Sequence, residues 1–131
     1  LYIPQLFVTK NKAIIESIYL TTIGNPSNPP SMSFYQSDTY RFFFLLAFMK
    51  EFFNENEISQ EYAISLVPKK YASRIKRLQV LKQSVQLGYI NEVHSLKDKR
   101  RRIYTPSETM IEDFLNMTES VIASTANKKV S

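Results

Sequence analysis

Apolar residues in the segment 11–24 fall at Ile14, Ile15, Ile18, Tyr19 and Ile23. That spacing marks one face of an α-helix, and Gly24 stands where a left-handed residue ends one. The following NPSNPPSMSFYQS holds three prolines among serines and asparagines, which predicts an extended connection rather than regular structure. DTYRFFFLLAFMKEFF, behind the capping residue Asp38, is apolar on nearly every side, as a central helix buried by its neighbours should be. After the polar turn NENE, Ser59 is placed to cap a short helix reaching Leu66. Ile58 lies outside that helix, Tyr62, Ala63 and Leu66 face inward, and Val67 and Pro68 interrupt it.

KKYASRIKRLQVLKQSVQLG puts Tyr71, Ile75, Leu78, Leu81 and Val85 at steps of four, three, three and four, an inward helical face. The opposite side then gathers Lys69, Ser73, Lys76, Arg77, Val80 and Gln83, with Lys70 and Arg74 on the flank. Gly88 predicts another C-terminal cap. YINEVH and RRRIYT, parted by the turn-like SLKDK, predict a β-hairpin. Thr105, Pro106 and Glu108 supply an N-cap, a first-turn proline and a third-position acid, a capping box for a last helix. Met110, Ile111, Phe114, Leu115, Thr118, Val121 and Ile122 form its stripe.

The pattern therefore predicts a mainly α fold with one small β-hairpin. Its order is short helix, turn, basic helix, glycine, hairpin with basic tip and capped helix, which is that of a winged helix-turn-helix. With 131 residues the chain suits one domain. Residues 1–37 are expected to form an N-terminal dimerisation helix and linker, 38–105 the winged helix-turn-helix, and 106–131 a C-terminal dimerisation helix. The two terminal helices carry more apolar surface than one domain needs to cover, which suggests a dimerisation platform.

Charge sharpens this picture. The net charge is +5, but residues 69–102 hold eleven cations against Glu92 and Asp98, a local +9, while the remainder of the chain sums to −4. A segregated positive segment on an acidic body fits a partner rich in phosphate. An α-helix with a cationic, hydrogen-bonding front fits the DNA major groove, and a hairpin beside it can reach the backbone or minor groove.

Other chemistry is poorly provided for. There is no cysteine and one histidine, so thiolate chemistry and most acid-base dyads are excluded. Acidic pairs such as Glu55 with Glu57 and Glu112 with Asp113 have no histidine, cysteine or glycine-rich loop nearby, so no enzymatic activity and no metal or other cofactor is expected. The longest apolar run, Phe42 to Met49, is too short to span a bilayer, and a soluble, cytoplasmic protein with no membrane partner is expected.

ISQEYAISL, LGYI and KDKRRRIYTPSE, within roughly residues 38 to 122, resemble the MarR-type winged-helix regulators of bacteria. Asp98 and Arg100 match that family's Asp-x-Arg wing motif. The resemblance implies a homodimeric, sequence-specific transcription regulator on a palindromic operator, with Arg100 in the minor groove and Asp98 supporting the wing. It also implies a dimer interface on the terminal helices, where Ile14, Ile18, Ile111, Phe114 and Val121 are the expected contacts, and room for a small-molecule effector. Ser73, Lys76 and Arg77 are the expected base-reading residues. Lys69, Lys70, Arg74, Lys97, Lys99 and Arg102 are expected on the DNA backbone. Two other readings fit the same residues: a winged-helix protein-interaction module, and a replication or plasmid-maintenance DNA-binding protein.

Overall fold

The computed structural model describes residues 1–23 and 26–126. Six helices and one hairpin follow in the order α1 (Gln5–Ile23), α2 (Pro30–Gln36), α3 (Thr39–Phe53), α4 (Gln60–Ser65), α5 (Arg74–Gln86), β1 (Ile90–His94), β2 (Arg102–Pro106) and α6 (Glu108–Ala126). Mainly helical structure with a two-stranded antiparallel hairpin is the winged helix-turn-helix arrangement expected.

The core is organised around α3. Its Phe44, Leu45, Phe48 and Met49 are all essentially inaccessible, and Met32, Tyr35, Val80, Leu81, Ile90 and Met110 close on them from the neighbouring elements. Each such side chain contributes on the order of 1.5–3 kcal/mol by burial. The aromatic rings stack through this layer, with Phe44 5.5 Å from Phe48 and 6.3 Å from Tyr35. A buried hydrogen-bond chain ties α2 to α5: the Tyr35 hydroxyl donates to Ser84 Oγ at 2.7 Å, and Ser84 Oγ donates to Val80 O at 2.6 Å. Burial pushes the Tyr35 phenol well above its ordinary range, so it remains a donor.

The proline-rich stretch is not extended throughout. Pro30 to Gln36 is helical because Pro30 occupies the first turn, where a missing N–H costs nothing and a fixed φ favours the helix. That turn carries Met32 and Tyr35 into the core, and the buried Ser31 hydroxyl donates to Asp113 Oδ2 of α6 at 2.7 Å. Helix α1 begins at Gln5, six residues before its predicted start, and the predicted cap at Gly24 lies outside the described residues. It packs along α6, and Gln36 Nε2 donates to Thr21 O.

The C-terminal end of α5 follows the prediction. Gly88 has φ 82°, its N–H bonds Val85 O at 3.1 Å, and Tyr89 N–H bonds Ser84 O at 2.9 Å. These two bonds are a Schellman motif, which needs a residue at positive φ. The last helix starts later than predicted. Thr105 and Pro106 belong to β2, paired with Asn91 and Ile90, and Ser107 is the cap, its Oγ accepting from Met110 N–H at 3.1 Å. Pro106 fits at the end of a strand, where no ladder donor is required of it.

Candidate nucleic-acid interface

Helices α4 and α5 form the helix-turn-helix. Ser59 caps α4, accepting from Tyr62 N–H at 3.2 Å, and Ser73 caps α5, accepting from Lys76 N–H at 3.2 Å. The cap at Ser73 moves the start of the basic helix from Lys69 to Arg74. Pro68 to Tyr71 is a turn, with Tyr71 N–H bonded to Pro68 O at 3.0 Å. Lys69 and Lys70 are therefore turn residues and both are exposed.

This start also corrects the face assignment. Arg77, Val80, Leu81 and Ser84 point inward, whereas Ile75, expected in the core, is 74% exposed. Arg77, expected to read bases, is 8% exposed. Its Nη1 donates to Ile64 O at 3.0 Å and Val67 O at 3.4 Å, so the guanidinium closes the C-terminal end of α4. A cation there meets carbonyls that lack helical partners and the negative end of the helix dipole. Ser73 is exposed but its hydroxyl is engaged in the cap.

The outward face of α5 is Ile75, Gln79, Lys82 and Gln86, with Lys76 beside them, all exposed. Of these, only Lys76 was among the sequence-based candidates. The overlooked signal was Ser73 itself: once it is taken as the cap, steps of four, three and four from Ile75 trace the exposed stripe. Arg74 lies at the edge of this face, where its guanidinium grips Glu61 through Nη1–Oε2 at 3.1 Å and Nη2–Oε1 at 2.7 Å. That contact holds the Glu61 carboxyl below its usual range.

The wing is β1, β2 and the loop between them. Ile58 and Ser59 add a short third edge: Tyr104 N–H bonds Ile58 O at 2.8 Å and Ser59 bridges Ile103. The loop is tied by Ser95, whose Oγ donates to the Glu57 carboxylate at about 3.3 Å and accepts from Lys97 N–H at 3.2 Å. Three adjacent arginines have three separate carboxylate neighbours. Arg101 Nη1 lies 3.5 Å from Glu57 Oε1, Arg102 Nη1 lies 3.2 Å from Glu92 Oε1, and Arg100 Nε lies 3.6 Å from Asp98 Oδ1. Asp98 Oδ1 also accepts from Arg100 N–H at 3.0 Å, which fixes the turn. The Arg100 side chain remains 96% exposed at the tip, flanked by exposed Lys97 and Lys99. Glu92 accepts in addition from the Tyr104 hydroxyl at 2.7 Å, and burial with this acid pushes the Tyr104 phenol up to about 12.

The residues expected at a dimer interface separate into two groups. Phe114 is 8% exposed and packs inside its own chain, with its ring 6.4 Å from that of Phe53, so it is a core residue rather than an interface contact. Ile111 is half-buried against the same core. Ile14 and Val121 are half-buried and Ile18 is 48% exposed. Much of the apolar surface of α1 lies elsewhere, with Leu6, Phe7 and Ile15 exposed, and Leu115 on α6 is exposed as well.

Among the described residues no helix is long and apolar enough to cross a membrane, and no cluster of three or more His, Cys, Asp or Glu could hold a metal ion. No family model and no curated protein matches the chain. A solved structure, the transcriptional regulator PA4135, is similar over 95% of this chain and 82% of its own length, with a TM-score of 0.53 and 14% sequence identity. At that identity the likeness establishes a shared fold and nothing finer.

Proposed function

We propose that the chain is a sequence-specific, double-stranded DNA-binding transcription regulator of the MarR type that acts as a homodimer. The observation that carries this reading is the solvent-facing side of α5. A capped, 13-residue helix presents Lys76, Gln79 and Lys82 outward while Val80 and Leu81 anchor it to the core. Lysine suits guanine and glutamine suits adenine in the major groove. The wing adds Lys97, Lys99 and Arg100 at an exposed tip, chemistry suited to phosphates and to a narrow minor groove. Lys69 and Lys70 in the turn supply further phosphate contacts. The regulator fold shared with PA4135 agrees with this assignment.

Dimerisation is supported by α1. All ten residues from Leu1 to Lys10 are exposed, and Leu6, Phe7 and Ile15 present an apolar surface of the kind that marks an association site. A second copy offering the same α1 and α6 surfaces would cover it with the two-fold symmetry a palindromic operator requires.

Footprinting of the purified protein on its own upstream region at two salt concentrations tests the reading. Protection of two half-sites about one helical turn apart, weakening steeply with salt, is expected. Equal affinity for every duplex removes sequence specificity, and absence of protection removes the DNA assignment.

A further inference from the structure

A cleft of about 540 Å³ opens between α4 and the start of α5, walled by Glu61, Ser65, Lys69, Ser73, Arg74 and Arg77. Its volume is many times the roughly 30 Å³ share of one water, so a phosphate group fits without repacking. Four features of its walls favour an anion. The first turn of α5 faces it, and the Arg74 and Ile75 amides have no partner among the described residues, whereas Ser73 takes those of Lys76 and Arg77. Unbonded amides at the positive end of a 13-residue helix attract negative charge.

The second feature is Arg77. Among the described residues only its Nη1 is bonded, to Ile64 O and Val67 O, and its Nε is buried with no partner. The Nε–Nη2 edge left over is the one that takes a phosphate or carboxylate side-on. Lys69 is the third, an exposed ammonium on the rim.

Arg74 is the fourth, and its fork is already filled by the two Glu61 oxygens at 3.1 and 2.7 Å. Both side chains are more than half exposed, so the pair can open without disturbing the core. A carboxylate and a phosphate present the same bidentate geometry to a guanidinium. We propose that this cleft is a phosphate-binding site filled by a phosphate of the DNA backbone, and that in the free protein Glu61 occupies the Arg74 fork which that phosphate takes over. The assignment rests on the reading of the chain as a duplex-DNA binder, in which the first helix of the motif crosses the backbone. Glu61 is then an internal competitor that lowers affinity for every duplex alike.

Anisotropy titrations of a labelled duplex across a salt series test it on wild type, Lys69→Ala, Glu61→Gln, Arg74→Ala and the Glu61→Gln/Arg74→Ala double variant. Lys69→Ala is expected to flatten the log–log salt slope by about 0.9 per protomer, about 1.8 for a homodimer on two half-sites. Glu61→Gln is expected to tighten binding about two- to fivefold on specific and random duplexes, the scale of losing one exposed ion pair. That gain should vanish in the Arg74→Ala background. Its persistence there would show a general charge effect and overturn the competition. Duplex binding that is indifferent to both Lys69→Ala and Glu61→Gln overturns the cleft and leaves the DNA reading standing. A protein that binds no duplex loses both. If inorganic phosphate nevertheless shifts the Ser73, Arg74 and Ile75 amide resonances of that protein, the cleft belongs to a free phosphate and the DNA assignment is removed.

Discussion

Arg77→Ala separates a structural cation from a base-reading one. The wild-type guanidinium donates to Ile64 O at 3.0 Å and to Val67 O at 3.4 Å from a site that is 8% exposed. A hydrogen bond from a charged donor contributes about 1.5–3 kcal/mol, and a buried carbonyl left without a partner costs about 1–3 kcal/mol. The 3.4 Å contact is long, so one good bond and one weak one are lost, and about 2–4 kcal/mol of destabilisation is expected. Arg77→Lys should fall between, because its shorter stem and more strongly hydrated ammonium reach the two carbonyls served by Nη1 only at a larger desolvation cost. Urea titration followed by far-ultraviolet circular dichroism reads the change as a lower midpoint at unchanged slope. A thermal midpoint lower by roughly 10 °C should accompany it. Lys76→Ala, on the exposed side of the same helix, is the control and should stay within about 0.5 kcal/mol of wild type. If Arg77→Ala matched that control in stability while losing discrimination among operators, the guanidinium would belong to the DNA and the inward placement would be refuted.

Gln79→Ala should leave the unfolding midpoint unchanged and relax base preference at one operator position, by about 1–3 kcal/mol if the contact is bidentate; a binding-site selection compares the two proteins. Ser73→Ala should cost about 1 kcal/mol through the lost cap of α5, read by the same urea titration. Tyr104 is held protonated above its ordinary 10.0, up to about 12, so its contribution to stability is complete below pH 10 and is lost as pH rises toward 12. Tyr104→Phe should flatten that alkaline decline, and stability measured across this interval checks it. Ile15→Glu, at a side chain already 65% exposed, should convert a dimer to a monomer in sedimentation velocity without unfolding it. A monomeric wild type would remove the dimer.

Features written in local chemistry were legible in the sequence. Ser59 as a cap, Gly88 as the positive-φ residue and the hairpin each depend on a few neighbouring residues and stand as expected, whereas α3 forms as expected but leaves Phe43, Leu46 and Phe53 exposed and takes no side-chain cap from Asp38. Two capping choices were not decidable locally. TPSE offers a cap at Thr105 and another at Ser107, and pairing of Thr105 with Asn91 drew the first into the sheet. KKYAS likewise allowed a helix from Lys69 or from Arg74, and the choice turned the helix so that Arg77 replaced Ile75 inside. The apolar spacing Tyr71, Ile75, Leu78 is periodic but not buried: Tyr71 stands in the turn with its ring 5.6 Å from that of Phe43. Nothing in the sequence around Arg77 announces the carbonyls that receive it, Ile64 O in α4 and Val67 O just beyond it, since they lie 13 and 10 positions earlier. The second proline of the NPP triplet misled in the opposite sense, because at the first turn of α2 it favours the helix it was taken to forbid.

The crowding of Lys97, Lys99, Arg100, Arg101 and Arg102 now has a physical account that total charge does not supply. Two unit charges about 6 Å apart in water repel by about 0.7 kcal/mol, a modest cost that nearby carboxylates offset. Here the carboxylates come from three places: Glu57 before α4, Glu92 on the opposite strand and Asp98 in the turn itself. Arg101 and Arg102 thereby brace the wing against the α3–α4 connection and across its own sheet, and Arg100 is left at the tip. The same division holds at the helix-turn-helix, where Arg77 closes α4 and Arg74 holds Glu61 while Lys69, Lys70, Lys76 and Lys82 stay exposed with no carboxylate partner among the described residues. Arginine, with its rigid fork, is used where geometry must be fixed; lysine, a hydrated point charge on a flexible stem, is left facing solvent. A surface built this way attracts phosphate through its lysines with little dependence on sequence. Under the proposed DNA-binding function, discrimination among operators falls to the few positions that pair directional chemistry with exposure, Gln79 on α5 first and Arg100 on the wing second.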